Sequence, residues 1–424
     1  MKIGFIGMSH LGLVNCIGAA AKGCTVIGFD QDSRLIASLK SEVFPINEPY
    51  LIETYNEYRE SVSFTTEFEE LTGCDIIYFS LDIKTDVNGD SNLVEIEELL
   101  KYSVRFIHKD SYFIMLSQVP PGFTRRIKEL YNLNISYQVE TLVFGNAFER
   151  FFNPERFIIG LDAPDTNLNP AHKSFLEMFD CDILTMSFES AELAKISINI
   201  FLASTITTTN ILSELAGYLQ ADWWAIKNAL SLDRRIGKYS YLEPGLGISG
   251  GNIERDLVSA RKLLDKFEAG ESFIESIQIN SQFRKLWPSR LIKEKLDLPT
   301  KNWKIAIWGL TYKKNTNSTK NSPAIANMQV LSSNCSFNVF DPELVIQEYD
   351  ELPLTFFSNI LDSINNVDAL IIFNDSTYFS EISVDEIVKR MKGNLVIDPL
   401  GVLRINQLKN LDYHSFGNKW KGSK

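Results

Sequence analysis

The chain opens on a short apolar run closed by a glycine, Lys2-Ile3-Gly4-Phe5-Ile6-Gly7-Met8. Three hundred positions later it does so again, with Lys304-Ile305-Ala306-Ile307-Trp308-Gly309-Leu310. Strands covered by helices on both faces have this near-continuous apolar character, whereas a strand wetted on one face alternates. After Gly7 the run LGLVNCIGAAAKG places its apolar residues at helical spacing and stops on Gly23, a residue suited to a helix C-terminus. CTVIGFD follows as a second strand, which completes a strand–helix–strand unit within about thirty residues. The pattern continues through CDIIYFS (74–80) and SYFIMLS (111–117). From about Ser190 to Trp287 it changes to long helical stretches such as Ser190–Leu219, without a clear strand. Strands return in KIAIWGL, SFNVFDP, DALIIFND and NLVIDP, after a linker pattern at 297–302. The expected fold class is α/β: two doubly wound Rossmann-like domains, at 1–188 and 299–424, joined by a central helical segment at 189–298.

A chain of 424 residues exceeds what one core organises, in agreement with two or three domains. Hydrophobic content of 45% with 23% charged residues excludes long disorder, and a net charge of −12 excludes nucleic acid as the main partner. No continuous apolar run reaches the ~18–20 residues of a membrane span, and the opening residues lack the layout of a signal peptide. Cys16, Cys24, Cys74, Cys181 and Cys335 are scattered and odd in number; His10, His108, His172 and His414 are equally dispersed. Neither set has metal-ligand spacing, so no metal is expected, and a reducing cytoplasm is the expected location.

Gly7-Met8-Ser9-His10-Leu11-Gly12 sits at the strand-to-helix turn where a dinucleotide fingerprint belongs. A helix N-terminus there offers free N–H groups and partial positive charge to a pyrophosphate. The middle glycine of the fingerprint is Ser9. Asp30, at the end of the second strand, suits a ribose hydroxyl and repels a 2′-phosphate, so the expected cofactor is NAD. A strand–helix turn without a dinucleotide is the alternative reading of the same residues.

Further markers follow in one order. They are Ile46-Asn47-Glu48-Pro49, Val119-Pro120-Pro121-Gly122, Asn153-Pro154-Glu155-Arg156, and Ser190-Ala191-Glu192 leading to Lys195 and Asn199. Arg235-Ile236-Gly237, Gly250 with Asp256, and Gly309-Leu310-Thr311-Tyr312-Lys313 before Ser322-Pro323 complete them. With these the chain resembles the UDP-glucose and GDP-mannose dehydrogenase family over nearly its whole length. The resemblance implies an NAD-dependent oxidation at C6 of a nucleotide-sugar, in two hydride steps linked by a cysteine thioester. It implies that Lys195 and Asn199 stabilise the developing oxyanion, that Asp256 organises a water, and that Glu140 is the carboxylate of a largely rewritten segment. It also implies substrate contacts from Arg235, the loop around Tyr241 and Leu242, Gly250, Lys313 and Lys320. A homodimer through the central helices is implied too, and a role in bacterial surface polysaccharide pathways.

The departures are chemical. The family's Gly-Gly-x-Cys-x-Pro-Lys-Asp motif corresponds here to Ser249-Gly250-Gly251-Asn252-Ile253-Glu254-Arg255-Asp256, with Asn252 at the cysteine position. An amide nitrogen is no nucleophile, although Asn252 can donate and accept hydrogen bonds. Gln118 stands for a threonine, and Thr316-Asn317-Ser318-Thr319-Lys320 for Thr-Asp-Asp-x-Arg, so Lys320 keeps a charge without a guanidinium's bidentate geometry. The expected function is therefore oxidation of a nucleotide-sugar, a UDP-sugar foremost, by single hydride transfer; a non-catalytic protein that binds NAD or a nucleotide-sugar is the alternative. Five of the site residues have a plainer reading as well. Lys195 and Asn199 suit a solvated helix face, Asp256 a helix cap, and Lys313 and Glu140 an open surface.

Overall fold

The computed structural model describes residues 1–86, 89–107, 111–163, 165–267, 270–296, 302–344, 352–403 and 411–417. Most of the expected linker and His108 lie outside the described residues. The chain divides into two units, Met1–Ile198 and Asn199–Lys424.

The first unit is built on eight strands among the described residues: β1 (Lys2–Ile6), β2 (Thr25–Phe29), β3 (Val62–Thr65), β4 (Ile76–Phe79), β5 (Tyr112–Met115), β6 (Asn134–Gln138), β7 (Arg156–Leu161) and β8 (Asp182–Ser187). Their order is β3-β2-β1-β4-β5-β6-β7-β8, parallel except between β6 and β7. β1 is wholly apolar or glycine after Lys2 and is buried between β2 and β4, which explains its unalternating sequence. The helix His10–Ala21 covers one face and ends as expected: Gly23 takes φ +89, and the N–H of Cys24 reaches back to the carbonyl of Ala19. The strand before Val119-Pro120-Pro121-Gly122 is the fifth in the chain rather than the fourth, because β3, short and at the sheet edge, carries too few apolar positions to stand out.

The sheet of the second unit has β9 (Trp303–Trp308), β10 (Cys335–Phe340), β11 (Leu354–Phe356), β12 (Ala369–Ile372), β13 (Leu395–Ile397) and β14 (Asp412–His414) in the order β11-β10-β9-β12-β13-β14, all parallel. In both sheets the strand order reverses beside the first strand, as in doubly wound folds. The likeness of the two openings extends to their hydrogen bonds. Asp30 after β2 accepts the N–H of Met8 at 2.8 Å, and Asp341 after β10 accepts those of Leu310 and Thr311 at 2.6 and 2.8 Å.

The helix Phe188–Tyr218 is 31 residues long and contains an 18-residue window of mean hydropathy 1.2, enough by length and composition to cross a membrane. Ser, Thr, Asn and Lys break up its apolar runs, so the sequence shows no continuous stretch of that length. Phe188 and Ala191 pack into a core of the first unit, and Ala203 into a cluster of the second with Ile248, Leu257, Ile274 and Ile277. Phe201 and Tyr218 are 76% and 80% exposed.

Candidate active site

In the first unit the fingerprint residues come together as one turn. Gly7 has φ +97, and a Cβ there would lie 2.9 Å from the Leu81 backbone; a Cβ on Gly12 would lie 1.8 Å from the Gly7 carbonyl oxygen. No side chain fits at either position. The Ser9 side chain does not cap the helix that it precedes. Its hydroxyl instead donates to the Ser80 carbonyl at 3.4 Å and accepts the N–H of Asp82 at 2.9 Å. Asp30 uses one oxygen on Met8 N–H and the other on Asp32 N–H at 3.0 Å, which fixes its carboxylate at the end of β2. A cradle closed to any Cβ, at a helix N-terminus and beside a fixed carboxylate, fits a dinucleotide: the helix end would face its pyrophosphate and Asp30 its ribose.

His10, next to Ser9, is buried, stacks on Phe144 at 4.0 Å and meets Glu48 at 2.8 Å. Glu48 also accepts the N–H groups of Gly145 and Ala147 at 2.9 and 2.6 Å. The Ile46–Pro49 marker therefore joins the cofactor turn to the segment after β6, a role its sequence did not show.

Lys195 and Glu140 meet. The ammonium donates to the Glu140 carbonyl at 2.8 Å and lies 3.4 Å from its carboxylate, whose other oxygen accepts the N–H of Leu142. Both side chains are 10% exposed, so neither belongs to a solvated surface. Three residues before Lys195, Glu192 is buried with its oxygens on the N–H groups of Gly122 and Thr124 at 2.6 and 2.9 Å, and burial raises its carboxyl above the usual range. Two sequence markers are thus one contact. It seats the long helix against the turn after β5, where Gln118 is also buried.

In the second unit Asn199 Nδ2 donates to Asp256 at 2.5 Å, and both are buried. Asp256 lies in the second turn of the helix Asn252–Lys266, too far in to cap it. Arg255, buried as well, stands 3.7 Å from the same carboxylate. Asn252 is the first residue of that helix and is half-buried. The loop before it is held from several sides. Thr209 and Trp223 donate to the carbonyls of Tyr241 and Leu242 at 2.7 and 3.1 Å. Asn210 accepts Gly245 N–H at 2.8 Å, Arg284 donates to the Gly245 carbonyl at 3.0 Å, and Ser281 accepts Ile248 N–H at 2.7 Å.

Gly250, at φ +78, would place a Cβ 3.1 Å from the Tyr312 ring, and a Cβ on Gly251 would lie 3.3 Å from Lys320. The Lys313 ammonium lies 5.6 Å over Tyr312. Lys285, buried and unremarked in the sequence, donates to Asn321, whose amide reaches Glu254 at 2.9 Å. Tyr241 is half exposed. Arg235 stands apart: its side chain is 89% exposed and, among the described residues, pairs with nearby Asp233. Among the described residues no group of three or more His, Cys, Asp or Glu has metal-binding geometry.

The surroundings of the thiols disfavour the thiolate. Cys16, Cys24, Cys74 and Cys335 are buried and Cys181 partly so, and burial raises every one of them, Cys74 and Cys335 to about 11. Nucleophilic cysteines need the opposite shift.

Models of the UDP-glucose/GDP-mannose dehydrogenase family match in order: the NAD binding domain at residues 1–178, the central domain at 189–282 and the UDP binding domain at 306–405. A UDP-glucose 6-dehydrogenase of Rickettsia typhi is 26% identical over 435 residues, covering 99% of this chain and all of the relative. A putative UDP-glucose 6-dehydrogenase of Bacillus subtilis is 28% identical over 415 residues, with 95% and 96% covered. Among solved structures, a UDP-D-ManNAc dehydrogenase from Pyrococcus horikoshii has a TM-score of 0.84 at 21% identity, covering 98% of this chain and 99% of its own. A UDP-glucose dehydrogenase from Pyrobaculum islandicum reaches 0.84 at 22%, with 97% and 96% covered. At such identities the likeness is one of fold. With all three of its domains matched in order, the chain belongs to the UDP-glucose/GDP-mannose dehydrogenase family of oxidoreductases, and its first unit is that family's NAD-binding domain.

Proposed function

We propose that this protein oxidises an alcohol of a nucleotide-sugar, a UDP-sugar foremost, one hydride at a time and without a covalent intermediate. One observation carries the reading: Asn252 begins the helix where a thiol is needed, and burial raises all five thiols of the chain. NAD supplies the hydride acceptor. The alcohol carbon gives up a hydride and its hydroxyl a proton, leaving a carbonyl, NADH and H⁺. Lys195, held by Glu140, is a buried cation suited to the charge developing on that oxygen. Asn199 and Asp256 suit a water that takes the proton, with Asp256 kept in place by the amide. Asn252 offers the carbonyl a hydrogen bond where the family attacks it. The product then leaves as an aldehyde or ketone, or a ketone takes the hydride back on its other face to give an epimer.

The chain is proposed to act as a homodimer in a reducing cytoplasm. Ile211, Leu215 and Tyr218 on the long helix, with Phe283, are exposed apolar residues lining a groove of about 360 Å³. Cover by a second copy removes that surface from water.

A second reading, a non-catalytic sensor of NAD or nucleotide-sugar, draws on the departures at Ser9, Gln118, Asn252 and Asn317. Incubation with UDP-, GDP- and dTDP-sugars and NAD, followed by mass spectrometry and, for isomers of equal mass, proton NMR, separates the readings. The proposal expects a product two hydrogens lighter than one of the sugars, or its epimer. A sugar acid overturns it. Calorimetric binding with no product from any sugar favours the sensor.

A further inference from the structure

The crevice of the first sheet contains a charge that the cofactor turn does not require. β1 and β4 are neighbours at the reversal of strand order, so the loops leaving them flank the space where such sheets bind dinucleotides. The loop after β4 brings Asp82 to the end of the helix His10–Ala21, where its carboxylate accepts the N–H of Leu11 at 3.1 Å. That helix has no acidic residue in its own first turn. The negative charge on its N-terminus therefore comes from a side chain 71 positions away. The contact is built rather than incidental, because Ser9, in place of the fingerprint's middle glycine, accepts the N–H of Asp82 and donates to Ser80. Asp30 takes no part: its two oxygens are on Met8 and Asp32.

We propose that Asp82 is an internal anion that occupies the pyrophosphate seat of this helix and, with Ser9, sets the affinity for the dinucleotide. The inference rests on the assignment of NAD to this turn. A free helix N-terminus favours an anion. Here the ligand's phosphates first displace a carboxylate of the same charge, and the half-buried Asp82 then turns toward solvent. The hydroxyl of Ser9 holds the β4 loop in the competing position, so the two residues act as a unit.

Calorimetric titration of the full-length protein with NADH and with ADP-ribose, which carries the same pyrophosphate without the nicotinamide, tests this without turnover. Asp82→Ala and Asp82→Asn each tighten both ligands by about tenfold, the scale of one charge at a helix end. The gain shrinks as salt screens the charge, and Ser9→Gly moves affinity the same way. Unchanged or weaker binding by both Asp82 variants, with wild-type circular dichroism, overturns the proposal. Weaker binding by Asp82→Ala with Asp82→Asn unchanged also overturns it, since it makes the side chain a structural cap. If wild type and variants alike fail to bind either ligand, the cofactor assignment itself falls, and this inference with it.

Discussion

Replacing Lys195 by methionine keeps a long, unbranched side chain and removes only the charge and its donors. The ammonium lies 3.4 Å from the Glu140 carboxylate, with both side chains 10% exposed. At an effective dielectric constant of about 20, opposite charges at that separation attract by about 5 kcal/mol. Desolvation of the pair offsets much of this, so the net value of the intact pair is small. Breaking it is different, because one charge stays buried alone, at a cost of about 3–5 kcal/mol. Lys195→Met is therefore expected to destabilise the first unit by about 3 kcal/mol. Glu140→Gln added to it should cost about 2 kcal/mol less than the two changes taken singly. In catalysis the lost cation should lower kcat by about 10²–10³, with KM and NADH affinity nearly unchanged. Urea unfolding followed by circular dichroism gives the first pair of numbers, and initial rates with NADH titrations give the rest. Wild-type kcat, or a loss confined to KM, refutes the assigned role. Wild-type stability refutes the burial argument.

Three other predictions concern the same units. Gly12→Ala is expected to cost about 3 kcal/mol or more and to abolish NADH binding, since its Cβ would lie 1.8 Å from the Gly7 carbonyl oxygen; wild-type melting and affinity contradict this. Burial holds the His172 ring neutral, lowering its pKa from 6.5 to about 3, while the unfolded chain protonates normally. Its contribution to stability is thus complete above pH 6.5 and is lost as pH falls toward 3; by about pH 4.5 the loss is about 2–3 kcal/mol. His172→Gln should flatten that slope in unfolding measured from pH 7 to 4.5, and an unchanged slope contradicts the cause. Asn252→Cys places a thiol in a helix first turn, where its pKa falls. Intact-protein mass spectrometry should then find a sugar adduct, or the products a sugar acid; neither appearing means that the surrounding substitutions have redirected the site.

The sequence was most legible where burial is two-sided. β4 and β12 are apolar throughout, and β1 and β9 are apolar or glycine apart from Lys2 and Lys304, because helices and neighbouring strands leave no wet face. β6 was hidden by its own chemistry. Ser136 and Gln138 are buried within it to hold His172 and Tyr78, so polar letters interrupt a core strand. β8, β11 and β14 lie at sheet edges or are three residues long, and their half-wet patterns resemble loops. In the site, the spacing of Lys195 and Asn199 could not decide between core and surface. Burial and the partners Glu140 and Asp256 decided it. Asp82 carried no local signal at all, because its meaning lies in Ser9, 73 positions earlier.

The count of NADH formed for each sugar molecule consumed bears most directly on the proposal that hydrides move one at a time without a thioester. One NADH or fewer per sugar, with no acid among the products, is what an amide at position 252 requires. Two NADH per sugar, with the acid accumulating, would mean that the second oxidation proceeds here without sulfur, and the account would be wrong.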